Sequence, residues 1–274
     1  MLSDSTIGFI GAGNMAEALI AGLLHAKRLT PAQLYASDID QSRLAWLHHT
    51  YGIRTVPTNS IVAREADILV LAVEPQILDE VLAEIADGVG EETLIISVAA
   101  GYPIARIARG LSGQERIVRS MPNTPSLVRE GVTAVAYEDR LPASDAAATR
   151  TLFESIGQVV RVEERWLDAV TGLSGSGPAY VYVMIEALAD GGVNMGLPRG
   201  TAQLLAAQTV SGAARLFLDS HEHPGVLKDR VASPGGTSVA GLHELERGGL
   251  RAALMSAVET AARRSHELGL GMDF

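Results

Sequence analysis

Six residues near the start of the chain, Gly11-Ala12-Gly13-Asn14-Met15-Ala16, have the types and spacing to hold a pyrophosphate. They follow an apolar run, Ile7 to Ile10, and open a stretch with Met15, Leu19 and Leu23 at helical spacing. This is the G-x-G-x-x-A form of a dinucleotide fingerprint. Gly11 allows the tight turn, Gly13 lets backbone approach phosphate, and Ala16 lets helix pack closely on strand. Gly8 keeps the strand slim. Free N–H groups at the helix start then face the phosphates. Gly11, Ala12, Gly13, Asn14 and Met15 are therefore candidate contacts. The second strand-like run ends at Ser37 and Asp38, 22 residues beyond Ala16. An acidic residue there bonds the adenosine ribose 2′-hydroxyl and favours NAD, whereas nearby Arg43 could meet the 2′-phosphate of NADP. NADH and NADPH stand nearly even on these residues. Asp38 and Asp40 could also simply cap the next helix.

Further candidates sit where later strands should end. Ala72-Val73-Glu74-Pro75 and Ala99-Ala100-Gly101 are small enough to leave room for a ribose and nicotinamide, or to pack tightly on themselves. Met121-Pro122-Asn123-Thr124-Pro125 is a rigid loop whose Asn123 and Thr124 offer hydrogen bonds to a ligand or to their own turn. Far along the chain, Asp229-Arg230-Val231-Ala232-Ser233-Pro234-Gly235-Gly236-Thr237-Ser238 precedes a helix expected from about Val239. Two glycines and two hydroxyls at a helix start suit an anion, or Thr237 or Ser238 simply caps the helix; Pro-Gly-Gly, with more backbone freedom than a cap requires, favours the anion. His221 and His223 flank Glu222, with no second acidic cluster nearby, so no metal site is expected. Lys228 beside Asp229 reads as a surface ion pair. Glu186 and Asp190 read as a solvated or interface face. The chain has no G-x-S-x-G element, P-loop or H-E-x-x-H motif.

The elements that must position these groups change character along the chain. In the first half, short apolar runs (Ile7–Ile10, Leu34–Ser37, Ile53–Val56, Ile68–Val73, Leu94–Val98, Ile117–Ser120, Thr133–Tyr137, Val159–Val162) alternate with helical segments such as residues 14–26, 41–50 and 76–86. That alternation implies βαβ units and a mostly parallel sheet. Near Asp168 it stops. Alanine-rich helical stretches follow at residues 179–189, 199–218, 238–247 and 251–268, separated by GLSGSGP, GGVNMGLP, HPG and SPGG. The expected architecture is α/β: an N-terminal Rossmann-type doubly wound sheet over residues 1–165, then an all-helical domain over 166–274.

Composition bounds the function. The chain has 274 residues, 47% apolar and 20% charged, ample for a packed core. A net charge of −10 argues against a nucleic-acid partner. With no cysteine, disulfides, thiolate metal sites and cysteine nucleophiles are excluded, which is compatible with the cytoplasm. Of 22 basic residues only Lys27 and Lys228 are lysines, so amine chemistry has two candidates. No uncharged stretch is long and unbroken enough for a membrane span, and the N-terminus is a poor secretory signal.

Taken together, IGFIGAGNMAEALIAGL, LAVEPQ, SVAAG, RSMPNTP, LSGSGPAY, EALADGGV and above all HPGVLKDRVASPGGTSVAGLHELE closely resemble the pyrroline-5-carboxylate reductase family over nearly the whole chain. The resemblance implies a Rossmann domain followed by a helical dimerisation domain. It implies a homodimer with interlocked helices, open to further assembly, and an active site between the Rossmann domain of one subunit and the helical domain of its partner. The activity implied is NAD(P)H-dependent reduction of a small cyclic imino acid, with no nucleic acid or membrane involved. Carried over by residue, Asn59 and the Ala72–Pro75 loop are cofactor contacts. Gly235, Gly236, Thr237 and Ser238 form the substrate-carboxylate site, and Ser238 or Thr237 bonds the ring nitrogen. Two departures stand out: Glu74 replaces the family's lysine, and Asp38 stands where several relatives have a neutral residue. The rival readings are a β-hydroxyacid dehydrogenase-like oxidoreductase, for which Lys228 would be the only lysine in the helical half, and a non-catalytic nucleotide-binding protein.

Overall fold

The computed structural model describes residues 2–270. Eight strands form one sheet: β1 (Ile7–Ile10), β2 (Leu34–Ser37), β3 (Arg54–Thr55), β4 (Ile68–Leu71), β5 (Leu94–Ser97), β6 (Ile117–Met121), β7 (Gly131–Ala136) and β8 (Gly157–Arg161). Their order is β3-β2-β1-β4-β5-β6-β7-β8. Every pairing is parallel except β6 with β7. The order reverses between β1 and β4, which creates the crevice where doubly wound sheets bind ligands.

Strand residues alternate between two helical layers. Ile7, Phe9, Ile68, Val70, Leu94 and Ile96 face one core, and Ile10, Leu69, Leu71 and Ile95 face the other. The first layer includes α1 (Asn14–His25) and α2 (Gln41–Tyr51). The second includes α3 (Asn59–Glu65), α4 (Leu78–Ile85) and α5 (Ile104–Gly110). α1 buries Ala16, Leu19, Ile20 and Leu23, and α4 buries Leu78, Val81, Leu82 and Ile85. Both sets follow the i, i+3, i+4, i+7 stripe of an amphipathic helix. The crossover between the parallel strands β7 and β8 is α6 (Ala143–Glu154), held by Asp145, whose carboxylate accepts two bonds from Arg116 at 2.6 and 2.7 Å.

The alternating half thus matches expectation, with local differences. β4 ends at Leu71, so Ala72 and Val73 belong to the loop leading to Pro75. The helices α3, α5 and α6 were not foreseen. α6 is alanine-rich, and apart from Leu152 and Phe153 it buries only Asp145 and Thr149, so its apolar stripe is faint.

The short α7 (Leu167–Val170) leads into a single π-helical turn, Thr171–Gly175. The remaining helices are α8 (Gly177–Asn194), α9 (Arg199–Ser220), α10 (Pro224–Val231), α11 (Thr237–Arg247) and α12 (Leu250–Gly269). Proline at N1 and His223 at the N-cap start α10 where the sequence reads as a break. By contact, the described residues up to Ser176 and from Glu259 onward form one unit, and Gly177–Val258 form another. Leu167 is buried with Ala134 and Ala136, which explains why the segment just past residue 165 packs with the sheet. Among the described residues of the helical unit, the buried apolar side chains are three alanines, Ala189, Ala202 and Ala206. No helix among the described residues is long and apolar enough to cross a membrane.

Candidate active site

The glycine loop lies at the carboxyl end of β1, at the switch point. Gly11 has φ +92°, and a Cβ there would sit 2.5 Å from the Ala72 carbonyl oxygen. Its N–H donates to the Ser37 carbonyl at 2.9 Å. Glycine at 11 is therefore demanded by the protein itself. Gly13 is different. It is the N-cap of α1, with φ −70°, and a Cβ would meet nothing within 4 Å. Neither strain nor packing requires glycine there. The space beside it opens onto first-turn N–H groups that have no intrahelical acceptor. That cradle fits a dinucleotide pyrophosphate. Gly8 is kept slim by α3, since a Cβ would fall 2.3 Å from Val62 Cγ1.

Asp38 turns toward the loop. One carboxylate oxygen accepts from the Ala12 N–H at 2.6 Å and the other from the Asp40 N–H at 2.9 Å. Asp40 is the helix cap, accepting from the N–H groups of Ser42 and Arg43 at 2.9 and 3.2 Å. Ser37, fully buried, donates to Asn59 Oδ1 at 2.8 Å, and Asn59 Nδ2 donates to Glu84 at 2.7 Å. This chain of bonds fixes Asn59 at the start of α3, beside the end of β2. Ala72 follows β4 with its N–H on the Ile10 carbonyl, so Gly11, Ala12, Ser37, Asp38, Asn59 and Ala72 converge on one edge.

The loop after β5 has a second task. Gly101 has φ +73°, and a Cβ would lie 2.4 Å from the Ser265 carbonyl oxygen on α12. Close approach of the last helix thus explains this glycine. Ser265 donates to Asp168 at 2.7 Å, and the buried Arg119 reaches Asp168 and Glu164 at 3.3 and 3.4 Å. This partly buried polar cluster was missed from sequence, because its members lie up to 146 residues apart, Arg119 to Ser265, with no shared motif. Asn123 ties its loop to β7, its Oδ1 accepting from the Val132 N–H at 2.9 Å.

In the helical unit, the segment Gly235-Gly236-Thr237-Ser238 forms the start of α11. Gly235 has φ +67°, and Gly236 is the N-cap. A Cβ on Gly236 would fall 2.4 Å from Ser233 Oγ. Thr237 and Ser238 are thus the first two helical residues, two positions earlier than the sequence suggested. Neither hydroxyl caps the helix, and neither has a hydrogen-bond partner among the described residues. A helix start with free N–H groups and two free hydroxyls suits a carboxylate and a polar neighbour.

Other candidates have ordinary partners. His223 Nδ1 accepts from the Gly225 N–H at 3.0 Å as the cap of α10. Glu222 pairs with Arg230 at 2.6 Å, Lys228 with Asp229, and Asp190 with Arg199. Among the described residues no three His, Asp or Glu side chains converge as a metal site would need.

Residues 164–268 match a family model described as pyrroline-5-carboxylate reductase dimerisation, and residues 6–101 match one described as NADP oxidoreductase, coenzyme F420-dependent. The chain is 47% identical to pyrroline-5-carboxylate reductase of Synechocystis, over 96% of this chain and 98% of that protein. It is 45% identical to that of Methanosarcina acetivorans, over 98% and 99%. The crystal structure of Plasmodium falciparum pyrroline carboxylate reductase with NADP bound superposes with a TM-score of 0.89 at 33% identity, covering 97% of this chain and 99% of that one.

Proposed function

The chain belongs to the pyrroline-5-carboxylate reductase family, and from that premise we propose how its own residues carry out the reaction. The enzyme reduces (S)-1-pyrroline-5-carboxylate to L-proline, the last step of proline biosynthesis, with NAD(P)H. Bound NAD(P)H supplies a hydride from nicotinamide C4 to the imine carbon. The open cradle at Gly13 and the N–H groups of Asn14 and Met15 hold the pyrophosphate. Ala12, Ser37, Asp38 and Asn59 line the adenosine side, and Ala72, Val73, Pro75, Ala99, Ala100 and Gly101 the nicotinamide side. In the helical half, residues 235–238 hold the substrate carboxylate on the helix-start N–H groups. The Ser238 or Thr237 hydroxyl bonds the ring nitrogen and relays the proton it gains. A protonated imine is already electrophilic, so the protein's main work is to align donor and acceptor.

The observation that carries these roles is the start of α11, where glycine does the capping and both hydroxyls are left free. Lys228, bound to Asp229 on the exposed α10, is poorly placed for dehydrogenase-type lysine chemistry. We further propose that residues 1–165 bind the cofactor, that 166–274 act together in dimerisation and substrate binding, and that the enzyme works in the cytoplasm as a homodimer.

The direct test follows NADH and NADPH absorbance after pyrroline-5-carboxylate is added. Rapid oxidation with at least one cofactor is expected. No oxidation by protein that binds a cofactor would overturn the reductase reading. For the residue roles, Thr237→Val with Ser238→Ala should lower kcat/KM by about 100-fold or more. Unchanged turnover would remove both hydroxyls from the mechanism.

A further inference from the structure

We propose that this chain selects NADH over NADPH, because Glu17 takes up Arg43, the cation that would otherwise receive the 2′-phosphate. The inference rests on the nicotinamide-reductase reading above and deepens it.

Arg43 is committed on three sides. Its Nε donates to the Ala12 carbonyl at 2.7 Å, its terminal nitrogen pairs with Glu17, and its guanidinium lies over the Trp46 ring, 4.6 Å from the centroid. Both members of the ion pair are largely buried, with side chains 23% and 19% exposed. Glu17 is held in turn by the Tyr51 hydroxyl, which donates to it at 3.2 Å. Burial, and then the Glu17 charge, push the Tyr51 hydroxyl's pKa up, so it remains a donor. Trp46 meets Tyr51 edge-on at 5.6 Å and closes the cluster.

Arg43 and Asp38 also clamp opposite ends of one residue. Asp38 takes the Ala12 N–H while Arg43 gives to the Ala12 carbonyl. Each carboxylate oxygen of Asp38 accepts one bond and can accept another. Asp38 is therefore a ready acceptor for a ribose 2′-hydroxyl, which can donate, and a poor neighbour for a phosphate, which cannot. For Arg43 to turn to a 2′-phosphate it would abandon Glu17, the Ala12 carbonyl and Trp46. That would leave a largely buried carboxylate unpaired next to a phosphate of like charge. Arg54 on the adjoining β3 offers no substitute, being paired to Glu65 at 3.1 Å and stacked over Tyr35.

The test measures binding rather than turnover. Dissociation constants of NADH and NADPH, and of ADP-ribose and its 2′-phosphate, are compared on the purified wild-type protein by titration calorimetry. NADH and ADP-ribose should bind about tenfold tighter or more than their phosphorylated partners. Glu17→Gln should free Arg43 and strengthen NADPH binding several-fold relative to NADH. Arg43→Ala should weaken both dinucleotides alike. NADPH binding as tightly as NADH, or a loss confined to NADPH in Arg43→Ala, would overturn the inference while leaving the reductase reading intact. Binding of neither dinucleotide would overturn both.

Discussion

Gly11 and Gly13 look alike in the sequence motif, and the structure separates them. Gly11 is demanded by a left-handed backbone and by the Ala72 carbonyl 2.5 Å from where its Cβ would be, whereas Gly13 has neither constraint. Serine is at least as good an N-cap as glycine, so Gly13→Ser should leave the melting temperature unchanged or raise it. The new side chain would fill the cradle and compete for its N–H groups, weakening NAD(P)H binding by about tenfold or more. Gly11→Ser should instead destabilise the fold by about 2–4 kcal/mol. Calorimetric melting and cofactor titration of both variants check the pair. Wild-type cofactor affinity in Gly13→Ser would remove the cradle from the site. The spacing of these residues was legible because a dinucleotide loop is local in sequence. Glu17 was not: its role depends on Arg43 and Tyr51, 26 and 34 residues away. The direction of Asp38 was equally hidden, since an aspartate at a strand end can cap, bond a ligand or brace a loop.

Among elements, strands were read best, because a buried parallel strand is an unbroken apolar run. Helices lacking an apolar stripe, or starting in His-Pro-Gly, escaped notice. So did the contact that joins α4 to the loop before α5. Tyr102 is buried and donates its hydroxyl to Asp79, which also pairs with Arg106. The Tyr102 bond first, and Arg106 second, hold the Asp79 carboxyl below the usual aspartate range. A depressed pKa means that the ionised form stabilises the fold. The contribution is complete above about pH 4, the unfolded value, and is lost as pH falls through the lower folded value. The carboxylate is 57% exposed, so screening limits its worth to about 1 kcal/mol or less. Asp79→Asn should show that deficit at neutral pH, and the deficit should shrink in urea melts below pH 4. A gap that widened in acid would mean the carboxylate does not stabilise this junction.

At the scale of the whole molecule, the helical unit poses a burial problem. Leu204 and Val231 are 69% and 70% exposed, and Tyr182, Val183 and Leu216 are exposed as well, while the buried apolar side chains of the unit are alanines. So much exposed apolar surface over so small a core calls for a partner. Gly191, Gly200, Gly212 and Gly241 lie on helices with no atom near where a Cβ would be, which leaves room for close helix approach by a second copy. A homodimer whose folding depends on that contact should melt at a higher temperature as protein concentration rises. Leu204→Glu should abolish that dependence and lower the melting temperature. If each active site also draws its cofactor and its substrate carboxylate from different copies, two inactive variants can repair each other. Gly13→Glu blocks the pyrophosphate, and Thr237→Val with Ser238→Ala blocks the substrate. Co-refolded in equal amounts, half of the dimers would be mixed. Each of these would carry one site with neither lesion, restoring about a quarter of wild-type activity. Sites completed within a single chain would leave every site damaged and the mixture inactive, so the recovered fraction decides how the site is assembled.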